Sequence, residues 1–320
     1  MVQKNEIKKK NLIRIFLFIL FSYAQAYLVE FLVVIPYSDN PDSSGGVFVT
    51  SLLAAAMMMP ALAVVLTRLI TKEGFRDHML HPHLKKGTWK YYLLAWFLPP
   101  LFTIIGAALY FLIFPAQFDW NMTYYMESLA KTGTIVELSP LRTTILSQMI
   151  TAVILGPVMN CITCFGEEWG WRGYLLPKLL KAMPVIPAIL VSGVIWGIWH
   201  IPTIIAGLNY GTEYNGYPYG GILMMILFCI VIGIFFSFLT IRTGSCIPAI
   251  IGHGAVNSIA ASGVYFTTDG GKLLLGPPVT GVIGMVPFMI TAVILIALLV
   301  RNNACAIETT CDTIVEVSSE

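Results

Sequence analysis

The sequence predicts an all-α, polytopic transmembrane helical bundle of about eight spans, and three observations predict it. Charged residues make up only 11% of the 320-residue chain and apolar residues 57%, whereas a soluble domain carries about 25% charged residues. Apolar runs recur along the whole length, most near the roughly 20 residues that cross a bilayer's hydrocarbon core as a helix. Lys and Arg concentrate in alternate connections between those runs, the bias that orients membrane proteins.

The runs fall at about 12–35, 47–70, 90–114, 143–164, 185–206, 220–240, 246–263 and 279–300. Lys4, Lys8, Lys9, Lys10 and Arg14 lead into the first. Ala24-Gln25-Ala26 has the form of a signal-peptidase site, yet the run continues through Tyr27–Ile35, so an uncleaved first span is expected. The second connection is basic (Lys72, Arg76, Lys85, Lys86, Lys90), as are the fourth (Arg172, Lys178, Lys181) and sixth (Arg242), and Arg301 closes the last run. The odd connections carry Asp39 and Asp42, then Asp119, Glu127 and Glu137, then Glu213, with Lys131, Arg142 and Lys272 against the trend. Both termini are therefore expected in the cytoplasm, the plasma membrane of a bacterium being the expected setting.

Three sections follow: residues 1–140 with three spans, 141–263 with four, and 264–320 with the last span and a polar tail, whose end, Glu308–Glu320, reads as disordered. Nothing points to nucleic acid, because the net charge is +2 and the basic residues sit at span edges without interleaved aromatics. Nor do the six cysteines form a disulfide framework. Cys161, Cys229 and Cys246 fall in or beside apolar runs, Cys305 and Cys311 in the tail, and Cys161-x-x-Cys164 has no second pair, so buried free thiols are expected.

Ionisable groups inside a bilayer are costly and normally face a bundle interior or a cavity. Three segments of 141–263 carry them. In Gly166-Glu167-Glu168-Trp169-Gly170-Trp171-Arg172, adjacent helical glutamates point about 100° apart. Glu168 and Arg172 have the i,i+4 order that favours an ion pair, which leaves Glu167 as the carboxylate available to take a proton. In the fifth run Gly193, Trp196, Gly197 and His200 share one helical face, and the Gly193/Gly197 pair permits close helix approach. In the seventh, His253 and Asn257 project together and can both donate to one oxygen, as an oxyanion hole requires. Each segment alone also fits interhelical packing, but together they are expensive to maintain for packing only. His78, His81 and His83 lie in a loop around Pro82 and read as solvated.

In this order the three segments resemble the CAAX-processing and bacteriocin-processing (CPBP, or Abi) intramembrane protease family, which includes type II CAAX prenyl endopeptidases. The E-E-x-x-x-R motif matches Glu167, Glu168 and Arg172; the aromatic-x-x-x-His motif matches Trp196 and His200, with Trp where the family has Phe; and H-x-x-x-N matches His253 and Asn257. The resemblance covers about residues 141–263 and implies an endopeptidase in which Glu167 activates water, His200 helps position it, and His253 with Asn257 stabilises the oxyanion. Glu168, Arg172 and Trp196 are structural support in this reading. Its partners are the bilayer and a peptide or membrane-anchored protein substrate, with CAAX-type processing and bacteriocin processing or immunity both within the family. Metal dependence forks: H-E-x-x-H is absent and a reading without cofactor is preferred, while zinc held by Glu167, His200 and His253 is the other branch. The rival from another class is a non-enzymatic transporter or bacteriocin-immunity scaffold, which the missing internal repeat disfavours. One misfit stands. Counting at about 1.5 Å per residue puts His200 deeper than His253 and leaves Glu167 near the membrane edge.

Overall fold

The structure, a computed structural model, describes residues 2–38, 43–84 and 87–317, with side chains over 9–36, 48–84 and 87–301. Asp39, Asp42, Lys85 and Lys86 lie outside the described residues, as do the side chains of Lys4, Lys8, Cys305 and Cys311. The fold is all-helical, with no β-strand among the described residues.

Helix α1 (Val2–Val29) widens into π-helical turns at Glu30–Val34 and closes with α2 (Ile35–Ser38). The second crossing joins α3 (Ser43–Ala56) to α4 (Met59–Ile70), and α5 (Trp89–Ile113) makes the third. After the short α6 (Thr123–Lys131), a long rod follows: α7 (Leu138–Met159), α8 (Cys161–Glu168), π-helical turns at Trp169–Leu175, and α9 (Leu176–Leu180). The remaining helices are α10 (Val185–Trp199), α11 (Ile201–Ile205), α12 (Tyr219–Thr243), α13 (Ile247–Asn257) and α14 (Val286–Val317), with a 3₁₀ turn at Ser262–Phe266.

Six of the eight expected runs are helices long and apolar enough to cross a bilayer: Lys9–Val34, Phe48–Ile70, Trp89–Ile113, Leu138–Met159, Tyr219–Thr243 and Ile247–Phe266. The fifth and eighth are shorter, Val185–Trp199 and Val286–Arg301. The fifth breaks at His200 because Pro202, which cannot donate into a continuing helix, restarts the chain in the first turn of α11. The eighth starts late because Pro277, Pro278, Gly281 and Gly284 hold its first residues in turns. At the other end α14 runs on to Val317, so most of the tail expected to be disordered is helical. A helix already nucleated by the span extends at one hydrogen bond per added residue.

Burial separates the centre from the rim. Of the apolar windows, 67% of α12 and 61% of Ile247–Phe266 is buried, against 22–28% for the other four. Large apolar side chains such as Phe16, Leu32, Leu112, Ile162 and Val293 stand exposed on the outer faces, where acyl chains would cover them. Helices α10 and α12 pack closely because Gly193 and Gly197 carry no Cβ. One built there would come within 2.7 Å of Ile230 Cα and 2.5 Å of Ile226 Cα.

Polar contacts sort the connections onto two faces. On one, Glu73 pairs with Arg14 at 3.4 Å and with Lys178, Arg68 pairs with Asp77 at 2.9 Å, and Arg242 donates to the Tyr91 hydroxyl over 3.0 Å. These join the N-terminal side to the second, fourth and sixth connections. On the other, Gln117 bonds Asp269 at 3.0 Å and Tyr210 bonds the Thr280 carbonyl at 3.0 Å, joining the third, fifth and seventh. That is the alternation successive crossings produce.

Candidate active site

The rod from α7 to α9 bends at Asn160, whose Nδ2 donates to the Gly156 carbonyl over 3.0 Å just before α8 begins. Beyond this bend α8 carries Glu167 and Glu168 into the centre of the bundle, 2% and 0% exposed. Glu167 thus follows the fourth apolar span, Leu138–Met159, as expected, and is buried within the bundle there.

The two carboxylates diverge as helical geometry requires. Glu168 Oε1 accepts from Arg172 Nη1 over 2.8 Å and lies 2.9 Å from His253 Nδ1. Glu168 Oε2 has no hydrogen-bond partner among the described residues. The Arg172 guanidinium lies 4.2 Å from the Trp196 ring centroid and 5.3 Å from that of Phe236, so a fully buried cation is held by a carboxylate and two π faces. Glu167 turns the other way. Its Oε2 accepts from Trp196 Nε1 over 2.7 Å and lies 3.4 Å from Trp171 Nε1.

Both histidines are fixed through Nδ1. His200, where α10 ends, is 2.9 Å from the Trp196 carbonyl through that atom. A carbonyl only accepts, so Nδ1 carries hydrogen and Nε2 is the remaining ring nitrogen. The Glu168 carboxylate imposes the same choice on His253 on α13. The Trp196 ring stands edge-on to both imidazoles, with centroids 5.8 Å from His200 and 5.4 Å from His253.

Glu167, His200, His253 and Asn257 line a single cavity of about 420 Å³, with Asn257 exposed at its mouth. Counting along the sequence set Glu167, His200 and His253 at different depths, yet these side chains and Asn257 border one hollow, His200 at the break between α10 and α11. A larger cavity of about 540 Å³ by Ile104, Phe111, Met149 and Phe266 is apolar and holds no titratable side chain.

Among the described residues no three His, Cys, Asp or Glu side chains are placed to share a metal ion. Glu167, His200 and His253 accordingly do not form a zinc ligand set as they stand, and His78, His81 and His83 form none either. Cys161, Cys164, Cys229 and Cys246 are free thiols.

The same cavity holds groups that the sequence patterns missed. Glu30, 1% exposed in the first span, lines it and accepts from Thr203 Oγ1 over 2.6 Å. This corrects the assignment of every suggestive intramembrane ionisable residue to 141–263. A lone carboxylate inside the apolar stretch Tyr27–Ile35 is the signal that marks it. Neither the Trp196 donor on Glu167 nor the Glu168–His253 contact follows from spacing along one helix.

No curated protein matches the chain. The family model described as type II CAAX prenyl endopeptidase Rce1-like matches residues 146–259. That stretch supplies Glu167, Glu168, Arg172, Trp196, His200, His253 and Asn257, so over it this helical, apolar chain is similar to the type II CAAX prenyl endopeptidases that the model describes.

Proposed function

We propose that the protein is a membrane-embedded endopeptidase of the CAAX type, cleaving a peptide or membrane-anchored protein at the cytoplasmic face with water activated by Glu167. The observation that carries this reading is the convergence of Glu167, His200, His253 and Asn257 on one cavity. The steps run through side chains alone.

Two indole N–H groups grip Glu167 Oε2, which leaves Oε1 to receive the proton of a water in the cavity. The water oxygen adds to the scissile carbonyl carbon, and the carbonyl π pair moves onto oxygen. His253, carrying hydrogen on both ring nitrogens with Nδ1 against the Glu168 carboxylate, donates from Nε2 to that oxyanion, and Asn257 donates beside it from the same face of α13. His200 Nε2 holds the attacking water in line. Collapse of the tetrahedral adduct breaks the C–N bond, and the proton held by Glu167 passes to the departing amine. Glu168 and Arg172 act through His253, fixing its ring by the 2.9 Å contact at Nδ1.

Enclosure among helices strengthens each of these polar contacts, because little bulk water competes. The direct test incubates purified protein in detergent with a mixture of peptides and reads new termini by mass spectrometry. Wild type is expected to generate them and Glu167→Ala to generate none; equal cleavage by both would overturn the proposal.

A further inference from the structure

Four observations converge on Glu30. It is 1% exposed, yet it lines the cavity that holds Glu167. It opens the π-helical stretch Glu30–Val34, and such widened turns inside α-helices gather at functional sites. Thr203, from the short α11 just beyond His200, donates to its Oε2 over 2.6 Å. Among the described residues no Lys, Arg or His forms an ion pair with it, and no Lys or Arg lines the cavity.

A buried carboxylate with a hydroxyl but no cation is costly to hold. Two other buried carboxylates, outside the proposed water-activating role, have such a partner: Glu168 has Arg172, and the Glu73 side chain has Lys178 and Arg14. Glu30 differs in facing a hollow that a ligand can enter. Its role also differs from that of Glu167, whose Oε2 is held by indole donors. Glu30 sits on the π-helical turns that follow α1, bonded to Thr203, and belongs to neither the water-activating group nor the oxyanion donors.

From this geometry we infer that Glu30, set by Thr203, is a specificity-determining residue that receives the cationic side chain of a lysine or arginine in the substrate. The inference rests on the endopeptidase reading for its setting. The substrate's cation supplies the charge partner that the protein lacks, so binding relieves the cost of a solitary buried carboxylate. A peptide lying across the cavity would place its scissile bond at Glu167 and the basic side chain toward α1.

The experiment reads binding and cleavage separately on the full-length protein in detergent. Short N-acetylated, alanine-based peptides carry one lysine, moved through each position in turn, and are compared with the same series carrying glutamine. Binding is followed by fluorescence anisotropy and cleavage by mass spectrometry. At one position the lysine peptide is expected to bind wild type about ten- to a hundredfold more tightly than its glutamine counterpart, the range of a hydrogen bond to a charged group. Glu30→Gln keeps an oxygen for Thr203 and removes the charge. It should abolish that preference and leave binding of the glutamine peptides unchanged, whereas Glu30→Asp, which keeps the charge, should retain most of it.

An undiminished lysine preference in Glu30→Gln, or no preference in wild type at any position, overturns the inference. Failure of the endopeptidase reading looks different: the Glu30-dependent preference in binding survives while no peptide is cleaved by wild type.

Discussion

Trp196 donates its indole N–H to Glu167 Oε2 over 2.7 Å, and this one bond ties α10 to the rod that carries the carboxylate. The same ring lies against Arg172 and stands edge-on to both imidazoles. One aromatic side chain thus meets Glu167, Arg172, His200 and His253, and it fixes the direction in which Glu167 points.

Replacing Trp196 by Phe keeps the π face and removes the donor. Phe is the residue at this place in the family motif that the segment resembles, so the fold should persist. Trp171 still lies 3.4 Å from the same oxygen. A loss of about tenfold in kcat/KM is expected, near the lower limit for a hydrogen bond to a charged group. Trp171→Phe combined with Trp196→Phe should cost more than the sum of the two single losses, because both donors serve one oxygen. Steady-state kinetics on the three variants checks this.

Arg172→Ala removes the partner of a carboxylate that is 0% exposed. Truncating one side of a buried ion pair costs about 3–5 kcal/mol. A large drop in thermal midpoint in detergent is expected, and the drop should shrink when Glu168→Ala is added. Equal midpoints for wild type and Arg172→Ala would show that the pair is not what holds this part of the rod.

The Gly197 position tests packing. A Cβ there would meet Ile226 Cα at 2.5 Å, and backbone cannot swing aside as a side chain can. Gly197→Ala should push α10 off α12 at a cost of about 1–3 kcal/mol. Because His200 follows within one turn, activity should fall further than stability alone explains. Melting and kcat, measured on the same preparation, separate the two effects.

Asp77 gives a pH dependence outside the membrane. Burial alone would raise its carboxyl, but the hydrogen bond and charge of Arg68 outweigh it and hold the group below the usual carboxylate range. A lowered folded value adds stability that is complete above the ordinary carboxylate range of about 4 and is lost as pH falls through the lowered value. The side chain is 57% exposed, so the gain is under about 1 kcal/mol. Wild type should melt slightly above Asp77→Asn at neutral pH, and the two curves should converge on acidification.

Much of this was legible in the chain because it is local to one helix. Glu168 and Arg172 meet at i,i+4, the two glutamates diverge, and the Gly193/Gly197 face packs against a neighbour. Apolar length also marks the spans, although it overstates the fifth, where Pro202 restarts the helix. What remained hidden depends on tertiary approach. Thr203 reaches Glu30 across 173 positions and Glu168 reaches His253 across 85, and no periodicity in a single segment encodes such pairs. The burial of Glu167 was hidden for a related reason: it follows the fourth apolar span, and only the packing of neighbouring helices around α8 encloses it.

The claim on which the functional account turns is that Glu167 takes the proton from the attacking water. Its most direct test is the kcat of Glu167→Gln on a cleavable peptide, with peptide binding measured alongside. The amide keeps an acceptor for both indoles but is a very poor base, so kcat should fall by at least about a hundredfold, the lower limit for general-base catalysis, with binding unchanged. Turnover at the wild-type rate in that variant would contradict the account.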